Sequence, residues 1–382
     1  MKSITMSRDA FVSASSKAFP FIEKDVTLPI YSCYRLDFDG TNLYITASMG
    51  GNHQITTFCA AQGDKFTVCV SAYMLHKLAL SLIESELTFQ FPESKGQLKH
   101  LRITGRGHKH DLPIFDPVDF YILPEPEKRS RARIKGSVFT GMIGVAMSLI
   151  DSKRNEMHPQ MAGINMTLHE ALPGSFIMQG GTGHSFAVAE YPACGIDKWD
   201  AVTIDKAPVK DIAELVQGHE DVEMYHDNMR VVISTASARI STRLLEGKFP
   251  DMAKLLTSVK TTGRIRLNAG EIGMALRRLS YHKSETVKIL VMNIPDHGNM
   301  VLSLDNNEQG SIGNEEVELS GNPEPVVMGF SHTLLSESLR SAHAVSMELS
   351  YSVHDKPMVI TATESEDNRW NCSILIAPTR IK

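Results

Sequence analysis

A chain of 382 residues, 42% hydrophobic and 22% charged, can build two or three cores, since one domain usually takes about 100–200 residues. A net charge of −5 and a pI near 6.3 argue against a strongly basic nucleic-acid binder, so any such role depends on where the charge lies. The five cysteines are scattered with no CxxC pair, which disfavours a disulfide framework or a zinc site and fits the cytoplasm.

No apolar run reaches the roughly 20 residues of a membrane span. The first residues lack the basic start and apolar block of a signal peptide. Helical spacing then begins at 7–20. An apolar strand at 64–71 leads into a second helix at 71–86, where Met74, Leu75, Leu78 and Leu82 form a stripe expected to face a core. Alternating strands follow at 86–91 and 100–105. His108 and His110 have no third metal ligand close in sequence, and Asp111, Asp116 and Asp119 sit among prolines in a strand-and-turn stretch. No metal centre is expected there. Residues 124–136, Pro-rich and then basic, read as a linker.

The same order then returns twice. A helix at 137–154 precedes a strand at 200–206, a helix at 206–217 and strands at 221–226 and 229–235. After a join at 250–268 come a helix at 269–283, a strand at 323–330, a helix at 331–343 and strands at 346–352 and 358–364. First helices begin at 7, 137 and 269, and second helices at 71, 206 and 331, a recurrence of about 130 residues. The spacing predicts three diverged copies of one α+β domain, at 1–125, 126–256 and 257–382. Ile272, Leu276 and Leu279 should face a core, and Gly141, Gly144, Gly270 and Gly273 suggest first helices packed closely on a sheet.

The segment STRLLEGKFPD at 241–251 closely resembles the join between the second and third domains of the bacterial β sliding clamp, the processivity factor of the replicative DNA polymerase. TLPI at 27–30, TGHSFAV at 182–188 and the closing IAPTRI at 376–381 resemble further family motifs in the expected order. The resemblance spans essentially the whole chain. It implies three clamp domains per chain and a homodimeric ring, with helices lining the hole and antiparallel sheets outside. Such a ring would hold duplex DNA by topology, without sequence readout, cofactor or catalysis. Weak phosphate contacts suit sliding, because tight phosphate neutralisation makes binding sticky and salt-sensitive.

The resemblance also assigns sites. Charge on the six helix segments is net positive while the rest of the chain is negative, the sign a DNA-facing lining needs. Lys17, Lys77, Lys153, Arg154, Lys210 and Arg277 are the expected phosphate neighbours, and Lys24, Asn155 and His158 match places where the family touches DNA. A pocket for short motifs of the polymerase, the clamp loader and repair proteins would use Met161, Gly183, His184, Phe186, Pro250 and Leu255. Pro357, Leu375, Ala377, Pro378, Thr379 and Arg380 would complete it. At the dimer seam, Leu112 on one side would meet Leu279 on the other.

Several positions depart from the family. Ala377 and Thr379 flank the terminal proline where Met is usual, and Thr182 and Ser185 stand for an Asp and an Arg. Lys382 extends one residue past the usual end. Fewer Met side chains imply a shallower and choosier pocket. His110 and Arg278 occupy seam positions that are usually apolar, which weakens the expectation for the dimer.

Two other readings use the same residues. Ser280 and Lys283 form an SxxK pair, with SGN at 320–322 and a near-KTG at 260–263, as in a serine acyl-transfer hydrolase. The order is wrong for that enzyme, because KTG should come last. GGTGHS at 180–185 lacks a phosphate-loop Lys and reads as a turn. A clamp-derived interaction protein that does not close a ring is the remaining alternative.

Overall fold

The computed structural model describes all residues except 24–27, 95–96, 128–129, 151–158, 171, 183–184, 193, 197, 219–220, 286–287, 307–308, 366–369 and 382. The first third runs β1 (Lys2–Ser7), α1 (Arg8–Ala18), β2 (Cys33–Phe38), β3 (Asn42–Met49), β4 (His53–Gly63), β5 (Phe66–Ser71) and α2 (Ala72–Ser81). It ends with β6 (Glu86–Phe91), the short pair β7 (Glu93–Ser94) and β8 (Gln97–Leu98), β9 (His100–Gly105) and β10 (His108–Phe115).

The middle third has β11 (Ser130–Lys135), α3 (Gly136–Met147), β12 (Gly163–Leu168), β13 (Phe176–Gly181), β14 (Phe186–Tyr191) and β15 (Val202–Asp205). Then come α4 (Val209–Val216), β16 (Asp221–His226), β17 (Arg230–Ser234) and β18 (Ala238–Arg243). After α5 (Met252–Ser258) the last third has β19 (Gly263–Asn268), α6 (Ala269–Leu279), β20 (Ile289–Ile294), β21 (Met300–Asn306), β22 (Ser311–Val317) and β23 (Ser320–Asn322). It closes with β24 (Val326–Ser331), α7 (His332–Ser341), β25 (Ala344–Tyr351), β26 (Met358–Ser365) and β27 (Asn371–Ile376).

Short strands aside, each third has the order strand, helix, four strands, helix, three strands. The expected repeat is present, and a strand precedes each first helix. Local chemistry sets the helix starts. Ser7, Ser71, Asn268 and Ser331 are N-caps whose side chains accept from the first-turn amides. Residues 124–136 are more than a linker: Ser130, Ala132 and Ile134 alternate inward along β11. The join at 250–268 likewise contains α5 and β19.

Contacts divide the described residues into two compact units, Met1–Arg133 with Ala207–Leu244, and Ile134–Lys206 with Leu245–Lys382. In the first unit the sheet order is β1-β6-β9-β10-β5-β2-β3-β4-β18-β17-β16, with β11 added at the end. The join within that sheet is β18 against β4, where Ile240 lies opposite Ile55. α1 and α2 pack together. Buried His76 of α2 has its Nδ1 3.0 Å from the Ser15 hydroxyl, and its ring stacks on Phe19.

The second unit has a nine-stranded sheet, β15-β12-β13-β14-β27-β26-β25-β19-β23, and a four-stranded one, β22-β21-β20-β24. α6 and α7 pack together, and buried His332 of α7 donates from Nε2 to the Leu276 carbonyl of α6 at 2.8 Å. Leu75, Leu82, Ile272, Leu276 and Leu279 face cores as expected. Met74 does not; it is 46% exposed, because α2 turns Ala72, Leu75, His76 and Ala79 inward instead. Of the four helix glycines, Gly141 is held by close packing, since a Cβ there would come 2.7 Å from the Trp370 ring; at Gly270 it would come 3.2 Å from the Asn268 side chain, whereas Gly144 and Gly273 meet nothing.

Candidate functional site

The site is built in the second unit where β14 meets β27. Phe186 lies opposite Leu375 and Val188 opposite Ser373 in an antiparallel ladder. Phe186, Leu375 and Met161 are buried together with Ile177, Val188, Phe249 and Met252. α5 covers this cluster: Asp251 caps it by accepting from Lys254 N at 3.0 Å, Met252 points inward, and Ala253, Leu256 and Val259 pack against the edge. Beneath it, Gln179 accepts from Met252 N through Oε1 at 3.2 Å and donates through Nε2 to Asn165 at 3.0 Å. Asn165 passes the chain on to Val202 O and Thr203 Oγ1, so the buried amides are satisfied and α5 is tied to β12 and β13.

The expected pocket residues therefore fall into three groups. Met161, Phe186 and Leu375 are core. Pro250, Pro357, Ala377 and Pro378 are half-buried, while Leu255, Thr379 and Arg380 are exposed. Met358 pairs with Ile376, which brings Pro357 and Ala377 to the same end of the β26–β27 ladder. Gly183 and His184 lie outside the described residues. Sequence reasoning missed Ile177, Val188, Phe249 and Met252. Phe249 precedes Pro250 in the recognised segment, and Met252 follows the Asp251 cap, so both carried a local signal.

The departures from the family pattern have structural uses. Ser185 is buried, and its hydroxyl accepts from Ala377 N at 3.0 Å, anchoring the end of the last strand. Thr182 accepts from Ser185 N at 3.1 Å and closes the turn between β13 and β14. Thr379 N donates to Gly329 O at 2.7 Å, and a Cβ at Gly329 would come 2.5 Å from the Thr379 carbonyl. The arrangement is an apolar floor with small residues and few donors around it, which suits apolar peptide anchors.

The helix charges are less uniform than the sequence suggested. α3 is uncharged and ends at Met147, so Lys153, Arg154, Asn155 and His158 follow it and, like Lys24, lie outside the described residues. Lys17 is half-buried and donates to Ser237 Oγ at 2.9 Å. Lys77 and Arg277 are exposed, and Lys210 is exposed with Glu214 3.8 Å away. Arg278, beside Arg277, makes a bidentate pair with Glu315 at 2.7 and 2.5 Å.

Leu112 and Leu279 are both buried within their own units. Next to them are two strand edges. Among the described residues, β10 pairs with β9 over 108–113 and with β5 only at Ile114 and Phe115, and β22 ends its four-stranded sheet. A partner there would meet exposed groups such as Lys109 and His110, or Ile312 and Glu316, more than the two leucines.

The enzyme-like motifs resolve into structural bonds. Ser280 donates to the Arg277 carbonyl at 2.6 Å, and Lys283 donates to Thr333 Oγ1 at 3.2 Å. His108 contacts Glu84 at 2.8 Å, and Asp111 takes both forks of Arg102 at 2.6 and 2.8 Å. Hydrogen bonds from Arg102 hold the Asp111 carboxyl down at about 2. No group of three metal-ligating side chains is gathered among the described residues. Burial pushes the Cys33, Cys59 and Cys372 thiols up to about 11 and Cys69 to about 12, far from a reactive thiolate.

No protein-family profile matches the chain. The β sliding clamp of Staphylococcus epidermidis is 21% identical over 325 residues, covering 84% of this chain and 80% of that protein. The crystal structure of a Caulobacter crescentus β sliding clamp superposes with a TM-score of 0.89 at 19% identity, covering 100% of this chain and 99% of the other. The Bacillus subtilis DNA polymerase sliding clamp gives 0.88 at 15% identity, with 100% of both chains covered. The chain thus shares the fold of the β sliding clamps along its whole length, at low sequence identity to them.

Proposed function

We propose that this protein is a DNA sliding clamp: a homodimeric ring that encircles duplex DNA and tethers the replicative polymerase. The observation that carries the reading is the match of fold along the whole chain to clamps, joined to sequence relatives of the same name. In this reading each chain supplies three clamp domains, 1–125, 126–256 and 257–382, and two chains give six. The free edges of β10 and β22 would join head to tail, one carrying exposed Lys109 and His110 and the other exposed Glu316, a complementary pairing of charge.

The cluster at β14, β27 and α5 would take the apolar anchors of short motifs from the polymerase, the loader and repair proteins. Its rim is Leu255, Pro357, Ala377, Pro378, Thr379 and Arg380, with His184 beside it in sequence. Lys77, Lys210 and Arg277 would face DNA phosphates, with Lys17, Lys24, Lys153, Arg154, Asn155 and His158. The protein acts without catalysis of its own, in the cytoplasm; no helix among the described residues is long and apolar enough to cross a membrane.

Light scattering tests the ring directly. The expected mass is twice the 42.3 kDa chain, and a monomer at micromolar concentration would overturn the closed ring. Loaded onto nicked circular DNA by its cognate loader, the protein should remain bound and slide off once the circle is cut. Equal loss from circular and linear DNA would contradict topological holding.

A further inference from the structure

Two joins between repeats lie within the chain, and they follow one rule. β18 runs against β4 with Ile240 opposite Ile55, and β27 runs against β14 with Ile374 opposite Ala187. Each links the third strand after one repeat's first helix to the last strand of the next repeat. The strands left over are β22 and β10, whose free edges would meet between two copies in the proposed ring.

The hairpin tips set the register of that third joint. Thr235 N bonds Ala238 O and Gly105 pairs with His108, so His110 stands where Ile240 does. Met49 pairs with His53, Thr182 N bonds Ser185 O and Asn306 pairs with Ser311, so Gly313 stands where Ile55 and Ala187 do. The rule therefore sets His110 of one copy opposite Gly313 of the other, His108 opposite Glu315, and Leu112 opposite Ser311. Gly313 is already covered by its own chain: a Cβ there would come 2.6 Å from the His282 ring and 2.8 Å from Leu279. The register thus brings His110 onto His282 of the second copy.

At the equivalent places Ile240, Ile55, Ile374 and Ala187 are all 0% exposed, so the joint is a dry one. The groups around the two histidines are already engaged. Glu315 takes both forks of Arg278, and His108 contacts Glu84. Ser311 holds His282 Nδ1, Asn306 donates to the His282 carbonyl, and Lys283 follows it. On β9 the residue paired with His110 is apolar Ile103. Lys109, Asp111, Asp305 and Glu316 alternate to the other faces of their strands, where Arg102 holds Asp111.

We propose that each joint of the ring is an acid-sensitive latch, in which His110 of one copy is apposed to His282 of the other and which closes while the pair is uncharged. The proposal rests on the ring reading and names what regulates closure. Histidine changes charge between about pH 5 and 8. Protonating one ring places a charge where the other joins are apolar, and protonating both adds like-charge repulsion. Separated copies therefore bind more protons than the ring, and closure weakens as pH falls.

The dimer dissociation constant of the full-length protein would be measured by sedimentation equilibrium from about pH 8 to about pH 5.5. Two joints that each exclude about one proton make the constant rise toward acid, by up to about a hundredfold per pH unit. His110→Ile supplies the residue found in both internal joins and should lower this slope; His110→Ile with His282→Gln should abolish it. His110 is exposed in the single chain, so its replacement should leave the monomer's circular dichroism unchanged. A Lys109→Cys and Asn314→Cys double variant tests the register separately. These exposed residues stand opposite each other in it, and oxidation with diamide should link two copies.

A parent slope of zero, or a slope unchanged in both histidine variants, would overturn the latch and leave the ring reading standing. A dimer that diamide fails to link would overturn the register and the latch with it. A parent that is monomeric at micromolar concentration even at the alkaline end would overturn the ring reading itself.

Discussion

Phe186 and Leu375 stand opposite each other in the β14–β27 ladder, and each is only 5% exposed. The floor of the proposed pocket is a packed core, so a binding role and a structural role have to be separated by choice of substitution. Phe186→Ala should destabilise the chain by about 3–5 kcal/mol, as a large-to-small change in a packed core does. A denaturant midpoint unchanged from the parent would show that Phe186 is not core.

Leu255 is the complementary probe. It is 46% exposed on α5, so Leu255→Ala should leave Tm within a degree or two of the parent. If it anchors partner motifs, it should weaken binding of a polymerase-derived peptide by about 1–3 kcal/mol. Unaltered peptide affinity in a calorimetric titration would move the pocket elsewhere.

Ser185 offers a test at an altered family position. Its buried hydroxyl satisfies Ala377 N, so Ser185→Ala leaves that amide unpaired. The expected cost is about 1–3 kcal/mol. Deuterium exchange at Ala377 should rise in the variant; equal protection would mean the bond contributes little.

Gly141 and Gly273 should respond to alanine with opposite signs. At Gly273 the methyl group has free space, and helix propensity predicts a gain of about 0.5–1 kcal/mol. At Gly141 the methyl group would press on the Trp370 ring, and overpacking should lower stability by about 1–3 kcal/mol. Thermal melts of the two variants decide both, and a rise in both would refute the close packing of α3.

Acid stability should show two windows. Burial, assisted by Lys77, lowers the His76 pKa below the ordinary 6.5; burial and then Lys283 lower that of His332, against the opposing bond to Leu276 O. Both are neutral in the folded chain. The unfolded chain binds protons first as pH falls, so stability is full above about 6.5 and declines below it. Asp111, held at about 2, contributes above its ordinary 3.8 and loses that contribution between 3.8 and about 2. Tm measured from pH 7.5 to 5 should fall toward acid, and His76→Asn should flatten the slope. A slope identical to the parent's would remove His76 from the account.

Much of the fold was written in local pattern. β6, β9 and β16 occupy the stretches where period-2 alternation placed strands, and Ser7, Ser71 and Ser331 begin helices where a capping hydroxyl precedes an apolar stripe. Such signals need only near neighbours along the chain. The end of α3 at Met147 was not legible, because the apolar run continues to Ile150 with no glycine or proline to stop it. Met74 was misplaced for a related reason: on a helix rich in apolar residues, which side faces inward depends on what lies beneath.

By itself the sequence determined a triplicated strand-and-helix order and five scattered thiols without a CxxC pair, four of which the fold buries. Periodicity, hydrogen-bonding side chains and hydrophobicity act residue by residue, and these features follow from them. Only the tertiary structure decided that β18 pairs with β4 and β14 with β27, that Phe186 is buried in an apolar cluster, and that Arg278 is engaged by Glu315 while Arg277 is not. Those outcomes depend on which edges and charges from distant parts of the chain come within hydrogen-bonding reach, and sequence spacing does not encode that distance.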